Sequence, residues 1–440
     1  MKKGLKTIIL LGSSFVMVLL AGFTAGKDSD RDMISFAADP PKQLLETKYG
    51  EANSSAAAVA GGANDFAFRL SAALAEKNGN ENFVCSPYSV WVPLAALVGA
   101  TDDPNKEALL TALHASGISE ADINQASSRM LYDLTKQREQ ALMAESDYPF
   151  HNPLQIANAV FVDHDVTLNQ DFARDFTDYF RGTAMNVDFA SKDAADAVNQ
   201  WASENTEGLI TEIVQQFDPD TVAALANAIY FSDQWGQKFD PDKTTESTFH
   251  SPNGETKAFY MRREGDSQTY YEDDKVQAMP LRFQTGGGLY IILPKDGNAS
   301  KLMSAMTHDY FEEIGRDSIK ATGTLLLPRF SIDSGMELKD TLTALGVPLF
   351  DEQKAPLTGG LIKEEIPVWL SSASHKAVIK VDEKGTTAAA VTVMAAATSA
   401  MPIPTEPFEM ICNKPFIFVL YENTYDGGQQ VLFTGIVNQP

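Results

Sequence analysis

Only two cysteines, Cys85 and Cys412, occur in the 440-residue chain, so no disulfide framework can carry its fold. Basic residues are scarce as well. With 35 Lys and Arg against 59 Asp and Glu, the formal charge is −24, which disfavours a nucleic-acid partner, and no basic patch suggests a heparin-type polyanion. There is no G-x-S-x-G, H-E-x-x-H, P-loop or C-x-x-C motif, and the six histidines are scattered. We therefore expect neither an enzyme nor a cofactor or metal. Gly286, Gly287 and Gly288 stand between two apolar runs and read as a hairpin turn rather than a phosphate cradle. No Gly/Ser/Pro-rich linker divides the chain after residue 62, so the remainder reads as one large domain.

What the chain does contain is a long segment without charge. Residues 385–405 read GTTAAAVTVMAAATSAMPIPT, twenty-one residues with five threonines, Ser399, Pro402 and Pro404. A membrane helix needs about 20 predominantly apolar residues, and the polar residues and prolines here argue against one. A soluble helix would lack a polar face, and the β-branched Thr386, Thr387, Val391, Thr392 and Val393 disfavour it. Read with period two, both faces are small and uncharged, as in a strand buried on both sides. Yet the segment ends in small residues and prolines, as exposed, cleavable loops do. It reads as one sequence with two states, a loop and a central strand.

At the N-terminus, Lys2, Lys3 and Lys6 precede an apolar run from residue 8 to 23, followed by small residues. Residues 1–25 read as a secretory signal peptide, which implies an extracellular, secreted protein. The run Leu20, Ala21, Gly22, Phe23 resembles a bacterial lipoprotein box with Phe23 at the place of the lipidated cysteine, so release rather than anchoring is expected. Residues 26–62 read as a disordered linker.

Helical periodicity marks a first helix carrying Phe66, Phe68, Leu70, Ala73 and Leu74, and further helices within 90–100, 105–145, 172–180 and 194–204. Strand patterns occur at 82–85 and 156–162, and after residue 220 they dominate: 223–231, 281–283, 289–293, 324–332, 374–381, 416–421 and 431–437. Helices early, strands late and no βα alternation predict an α+β fold with antiparallel sheets. His375, in Ser374-His375-Lys376-Ala377-Val378, alternates toward the core and reads as a hydrogen-bonded core histidine rather than a catalytic base.

Several motifs now converge on one family. From about residue 63 to the C-terminus the chain resembles the serpins. Val381-Asp382-Glu383-Lys384-Gly385-Thr386, followed by small residues, looks like the hinge of their reactive loop. Met410-Ile411-Cys412-Asn413-Lys414-Pro415-Phe416-Ile417-Phe418 fits their C-terminal signature. The segment from Asn82 to Ser89, the run Leu225-Ala226-Asn227-Ala228-Ile229-Tyr230-Phe231 with Trp235 and Phe239 beyond it, and Ser374-His375-Lys376-Ala377 match in the same order.

The resemblance implies a serpin domain over 63–440, with three sheets, about eight or nine helices and an exposed reactive loop near 383–406. It implies a polar cluster of Ser86, Ser89, Asn227 and His375 behind the central sheet, the shutter, and an approach of Glu383 to Arg329 near Trp235 at the top, the breach. It further implies a hinge of Glu383, Gly385, Thr386, Thr387, Ala388, Ala389 and Ala390. Thr387 and Val391 depart from the glutamate and alanine usual at their positions, but both remain uncharged.

By the same resemblance, the chain inhibits a serine protease as a suicide substrate. The protease attacks the loop, and the cut end inserts as a strand and drags the acyl-enzyme with it. Residues 386–399 would span roughly 46 Å at about 3.3 Å each. A dozen ladder bonds at about 0.5 to 1.5 kcal/mol supply on the order of 10 kcal/mol. Spacing from Gly385 puts the scissile bond between Ser399 and Ala400, with Ala397, Thr398 and Met401 as alternatives. These small residues suit an elastase-like or subtilisin-like pocket. A monomer is expected. The alternatives are a non-inhibitory serpin acting as carrier, storage protein or chaperone, a cross-class inhibitor of cysteine proteases, and a secreted cell-surface binding protein whose alanine-rich stretch is only a spacer.

Overall fold

A computed structural model describes residues 13–22 (backbone only), 54–137, 154–386, 407–424 and 427–440. In chain order the elements are β1 (Ser13–Gly22), α1 (Ser54–Asn78), β2 (Phe83–Cys85), α2 (Pro87–Ala96), α3 (Asp103–Ala112) and α4 (Glu120–Tyr132). Then come β3 (Leu154–Asp163), α5 (Gln170–Phe180), β4 (Gly182–Val187), α6 (Lys192–Glu204) and β5 (Thr221–Phe231). Strands β6 (Thr245–Ser251), β7 (Gly254–Glu272), β8 (Val276–Arg282) and β9 (Gly288–Pro294) lead to α7 (Ala299–Ala305) and α8 (His308–Arg316). The chain closes with β10 (Ile319–Pro328), β11 (Phe330–Glu337), α9 (Lys339–Ala344), β12 (Trp369–Val381), β13 (Phe408–Ile411), β14 (Phe416–Asn423) and β15 (Gln429–Val437). The fold is α+β, with nine α-helices among the described residues.

Many helix starts are set by side chains that accept backbone N–H groups left without an intrahelical partner: Ser86, Asp102, Ser119, Asn169 and Ser191 each do so. The strands form three sheets. The central one has six strands in the order β11, β12, β1, β5, β3, β4. Strand β7 is 19 residues long and serves the other two: most of it pairs with β6 and β10, and its last residues with β8. Strands β8, β9, β14, β15 and β2 then continue in that order.

Both faces of the central sheet are covered. Every residue of β5 is buried. Its Val222, Ala223, Leu225, Ile229 and Phe231 join the main core, while Ala224, Ala226 and Ala228 meet a smaller cluster with Ala194, Val198 and Trp201 of α6. A strand buried on both faces explains why residues 223–231 carry an uninterrupted apolar run broken only by Asn227.

Three of the differences from the sequence reading have an identifiable physical cause. The described part of the expected helical region 105–145 divides into α3 and α4, because His114 and Gly117 adopt positive φ of 56° and 77° and end the first helix, and residues 138–145 lie outside the described residues. The run 324–332 is two strands in different sheets, parted at Pro328, which cannot donate a ladder bond. The expected disordered linker over 26–62 ends sooner: α1 starts at Ser54, and the good helix formers Ala56, Ala57 and Ala58 carry it into the core, where Val59 is 0% exposed. Residues 26–53 lie outside the described residues. The apolar run read as part of a leader contributes β1 to the central sheet.

Because Val59 is core rather than linker, Val59→Asp should lower unfolding stability by about 2 kcal/mol or more. Urea denaturation checks this; an unchanged midpoint would return residues 54–62 to the linker.

Candidate functional site

Strands β5 and β12 run parallel to each other and do not pair. Each pairs instead with β1, which is antiparallel to both: Met17 stands opposite Asn227 on one side and His375 on the other. The interval between β5 and β12 is thus a slot of two strand spacings, about 9.5 Å, that admits one antiparallel strand.

Beneath the slot, helix α2 packs against β5, β15 and β1. Its cap carries the polar contacts. Ser86 Oγ donates to the Leu432 carbonyl at 2.8 Å and accepts from the Ser89 amide at 3.3 Å. The Ser86 amide donates to His375 Nε2 at 3.1 Å. Because an N–H points at Nε2, the neutral ring carries its proton on Nδ1. Burial lowers the His375 pKa to about 3, so the imidazole is neutral at ordinary pH and offers no base to solvent. The core-histidine reading therefore holds.

Asn227 takes a different partner from the one its grouping suggested. Its Nδ2 donates to Asn158 Oδ1 at 2.7 Å, and Asn158 Nδ2 donates in turn to the Phe180 carbonyl at 2.7 Å. His375, Met17, Asn227 and Asn158 lie on one rung across four strands. Ser86, Ser89 and His375 are brought together directly, while Asn227 faces His375 across the slot. Among the described residues, the Ser89 hydroxyl and Asn227 Oδ1 are buried without a partner. Asn158 escaped the sequence reading, although a lone amide inside the apolar run Ile156-Ala157-Asn158-Ala159-Val160 was a usable signal.

The mouth of the slot lies where the chain leaves β12. Glu383 is 6% exposed and receives both Arg329 Nε, at 2.8 and 3.0 Å, and Thr244 Oγ1, at 2.6 Å. Burial alone would raise its carboxyl pKa, but the Arg329 and Thr244 hydrogen bonds hold it below the usual range. The pair is more than an ordinary surface contact on the glutamate side, although the Arg329 side chain is 45% exposed. Trp235 is fully buried, stacks on Phe283 with centroids 4.9 Å apart, and donates from Nε1 to the Asp382 carbonyl at 2.8 Å. Its amide donates to the Lys384 carbonyl at 2.9 Å. The structure thus brings Trp235, Arg329 and Glu383 together, with the Asp382 carbonyl of the hinge motif bonded to Trp235 and with Thr244 as a partner that no motif announced.

Next the chain reverses. The Asp382 amide donates to the Gly385 carbonyl at 3.1 Å, and Gly385 bridges Gln234. A Cβ at Gly385, whose φ is +152°, would stand 2.1 Å from the Asp233 carbonyl oxygen, so only glycine fits this close approach. Thr386 is buried, its amide donates to that same carbonyl at 3.0 Å, and its hydroxyl accepts from the Asp233 amide at 3.3 Å. The first residue after the turn is already bonded to the exit of β5. Of the expected hinge, Thr387, Ala388, Ala389 and Ala390 lie outside the described residues. The same holds for Ser399, Ala400 and the alternatives Ala397, Thr398 and Met401.

Cys85 and Cys412 are buried and free, their thiols pushed up by burial. One group of the described residues has metal-ligand atoms close together, Asp163, His164 and Asp188. Asp163 already spends both oxygens on the Asp165 and Phe189 amides, and we assign the group no role.

Comparison with known proteins places this geometry in context. A family model described as "Serpin (serine protease inhibitor)" matches residues 61–440. Alpha-1-antitrypsin 1-4 of Mus musculus is 29% identical over 403 residues, 90% of this chain and 93% of that protein. Alpha-1-antitrypsin of Meriones unguiculatus is 31% identical over 86% of this chain and 89% of its own length. Among solved structures, human glycosylated kallistatin superposes with a TM-score of 0.72 at 23% identity, covering 88% of this chain and 99% of its own. Native tengpin, a thermophilic serpin, gives 0.72 at 22% identity, covering 92% and 98%.

The buried, neutral His375 makes a signed pH prediction. Its folded pKa lies below the unfolded value near 6.5, so its contribution is fully present above pH 6.5 and is lost as pH falls toward 3. Between pH 7 and 5 it should cost the parent about 2 kcal/mol that His375→Gln does not lose. Chemical denaturation of both proteins at the two pH values measures this difference; equal losses would show that His375 is not held neutral.

Proposed function

This chain belongs to the serpin family, and from that premise we propose that it traps a serine protease as a suicide substrate, using the slot between β5 and β12. One observation carries the reading. The slot is built for a single antiparallel strand, and the chain leaving β12 turns at Gly385 so that Thr386 already bonds Asp233 at its mouth.

The steps follow. A protease serine hydroxyl attacks the carbonyl of Ser399, an ester forms, and the amine of Ala400 leaves. Loss of that peptide bond frees the loop from its attachment at β13. The turn at 382–385 is preset, so insertion continues the existing pairing with β5. Every backbone group that enters finds a partner on both sides, and uncharged side chains enter at no electrostatic cost. The attached protease is carried along, and distortion of its site delays the water that would hydrolyse the ester. The small residues around Ser399 and Ala400 favour an elastase-like or subtilisin-like target. We place the scissile bond there, with Ala397, Thr398 or Met401 as the neighbouring choices. Residues 1–25 act as an export signal in this reading, and the product is an extracellular monomer.

In the exported chain, freed of residues 1–25, Thr386→Arg and Ala388→Arg should each convert the inhibitor into a substrate, since a charge entering the slot costs several kcal/mol. The check is a denaturing gel after incubation with elastase. Covalent adduct at the parent's stoichiometry in either variant would defeat the insertion argument. Mass spectrometry of the released C-terminal fragment should find its first residue within 398–402.

A further inference from the structure

The slot is not empty. Residues Ser13–Gly22 fill it as β1, paired along both edges. These are the residues that the sequence reading placed inside a leader, and their register has a consequence for the loop. Gly385 pairs with Gln234; the same antiparallel register, continued inward, brings Ala388 opposite Phe231. Ser13 already holds that rung.

From there the two segments read in parallel: Ser13 against Ala388, Val16 against Val391, Val18 against Val393, Leu19 against Met394, Ala21 against Ala396. Neither segment carries a charge over these ten rungs. The N-terminal segment meets the same demands that the loop meets, an extended backbone and neutral side chains. The two cannot share one slot.

We propose that Ser13–Gly22 is a built-in occupant of the loop's slot, which keeps the chain in a form that a protease cuts but that does not trap it, until the segment is removed. This rests on the inhibitory reading above. In the filled form, attack at the loop still yields the ester. Insertion is blocked, so water hydrolyses that ester, restoring the protease serine hydroxyl and leaving a carboxylate on the loop. The segment is covalently joined to the domain through residues 23–53, so its occupancy is an intramolecular equilibrium with an effective concentration that no free peptide reaches in dilute solution. Cutting anywhere within that connection, as removal of an export signal after residue 25 does, turns it into a dissociable peptide, and the slot opens to the loop.

The experiment compares the full-length chain with a full-length Val16→Lys/Val18→Lys variant, which puts two charges into a strand paired along both edges. Without protease, the parent should melt about 10 °C or more above the variant, because ten residues lose two-sided pairing. With elastase, the parent should give cleaved chain and little adduct, and the variant at least tenfold more SDS-stable adduct. A synthetic peptide of residues 13–22, added in excess to the variant, should restore the higher melting point and suppress the adduct. Equal melting points for parent and variant, or equal adduct yields, overturn the proposal. A variant that melts lower, regains stability with the peptide, and yet forms no adduct with any of a panel of serine proteases leaves the seated strand standing and removes the inhibitory reading instead.

Discussion

Two strand edges that face each other one strand apart set the terms for everything else in this molecule. Along β5 and β12 a row of N–H and C=O groups points into the interval from each side, in a sheet whose two faces are buried. Left unpaired there, such groups cost free energy comparable to a lost hydrogen bond each. Either the edges close on one another or a strand comes between them. Because β5 and β12 are parallel, a strand entering the interval meets both in the same sense, and the turn after β12 delivers the following residues antiparallel to each.

The side chains around the slot are consistent with a strand that must come and go. Where β5 meets α6 its even-numbered residues are Ala224, Ala226 and Ala228, a stretch of three rungs with no side chain large enough to interlock with a sliding neighbour. On the other face, the rung of His375, Asn227 and Asn158 is the polar exception in an apolar core. With a strand between them, His375 Nε2 accepts from the Ser86 amide and Asn227 Nδ2 donates to Asn158, while Asn227 Oδ1 and the Ser89 hydroxyl remain without partners among the described residues. A polar rung with spare bonding capacity narrows the energy gap between filled and closed arrangements, which suits a bistable element better than a uniformly apolar one would.

Much of this was legible in the chain, and the rest failed for identifiable reasons. The eleven-residue β5 showed itself by an apolar run without alternation, and Gly385 by its place between a charged turn and a neutral stretch. His375 was placed correctly because period-two alternation turns it inward. The break at Pro328 went unseen because the shift of the buried positions from odd (Leu325, Leu327) to even (Phe330, Ile332) falls inside a run apolar enough to hide it. Thr244 could not be found, since a threonine that donates to a carboxylate 139 positions away leaves no local trace. The start of α1 was missed because alanine and glycine runs suit linkers and helices alike until tertiary contacts decide between them. Strand β1 was hidden for a related reason: an apolar run behind lysines satisfies the demands of a leader and of a buried strand equally.

In the proposed mechanism, the clamp at the slot mouth is too weak to keep an uncut loop from inserting. The bonds of Glu383 to Arg329 and Thr244 contribute about 1 to 3 kcal/mol between them, since Arg329 is half in solvent. Ten rungs of two-sided pairing are worth on the order of 10 kcal/mol. The clamp would lose that contest outright. The stronger restraint is covalent. Thr386 is fixed at the exit of β5, and Phe408 is fixed in β13, which pairs with β10 in another sheet, so residues 387–406 are tied at both ends. A segment tied at both ends cannot thread the full depth of the slot from its mouth without peeling β13 away. In the proposed mechanism, once β1 has left the slot, one peptide-bond cleavage removes that restraint, and the glutamate clamp then acts only to hold the turn in the shape from which the first rung continues.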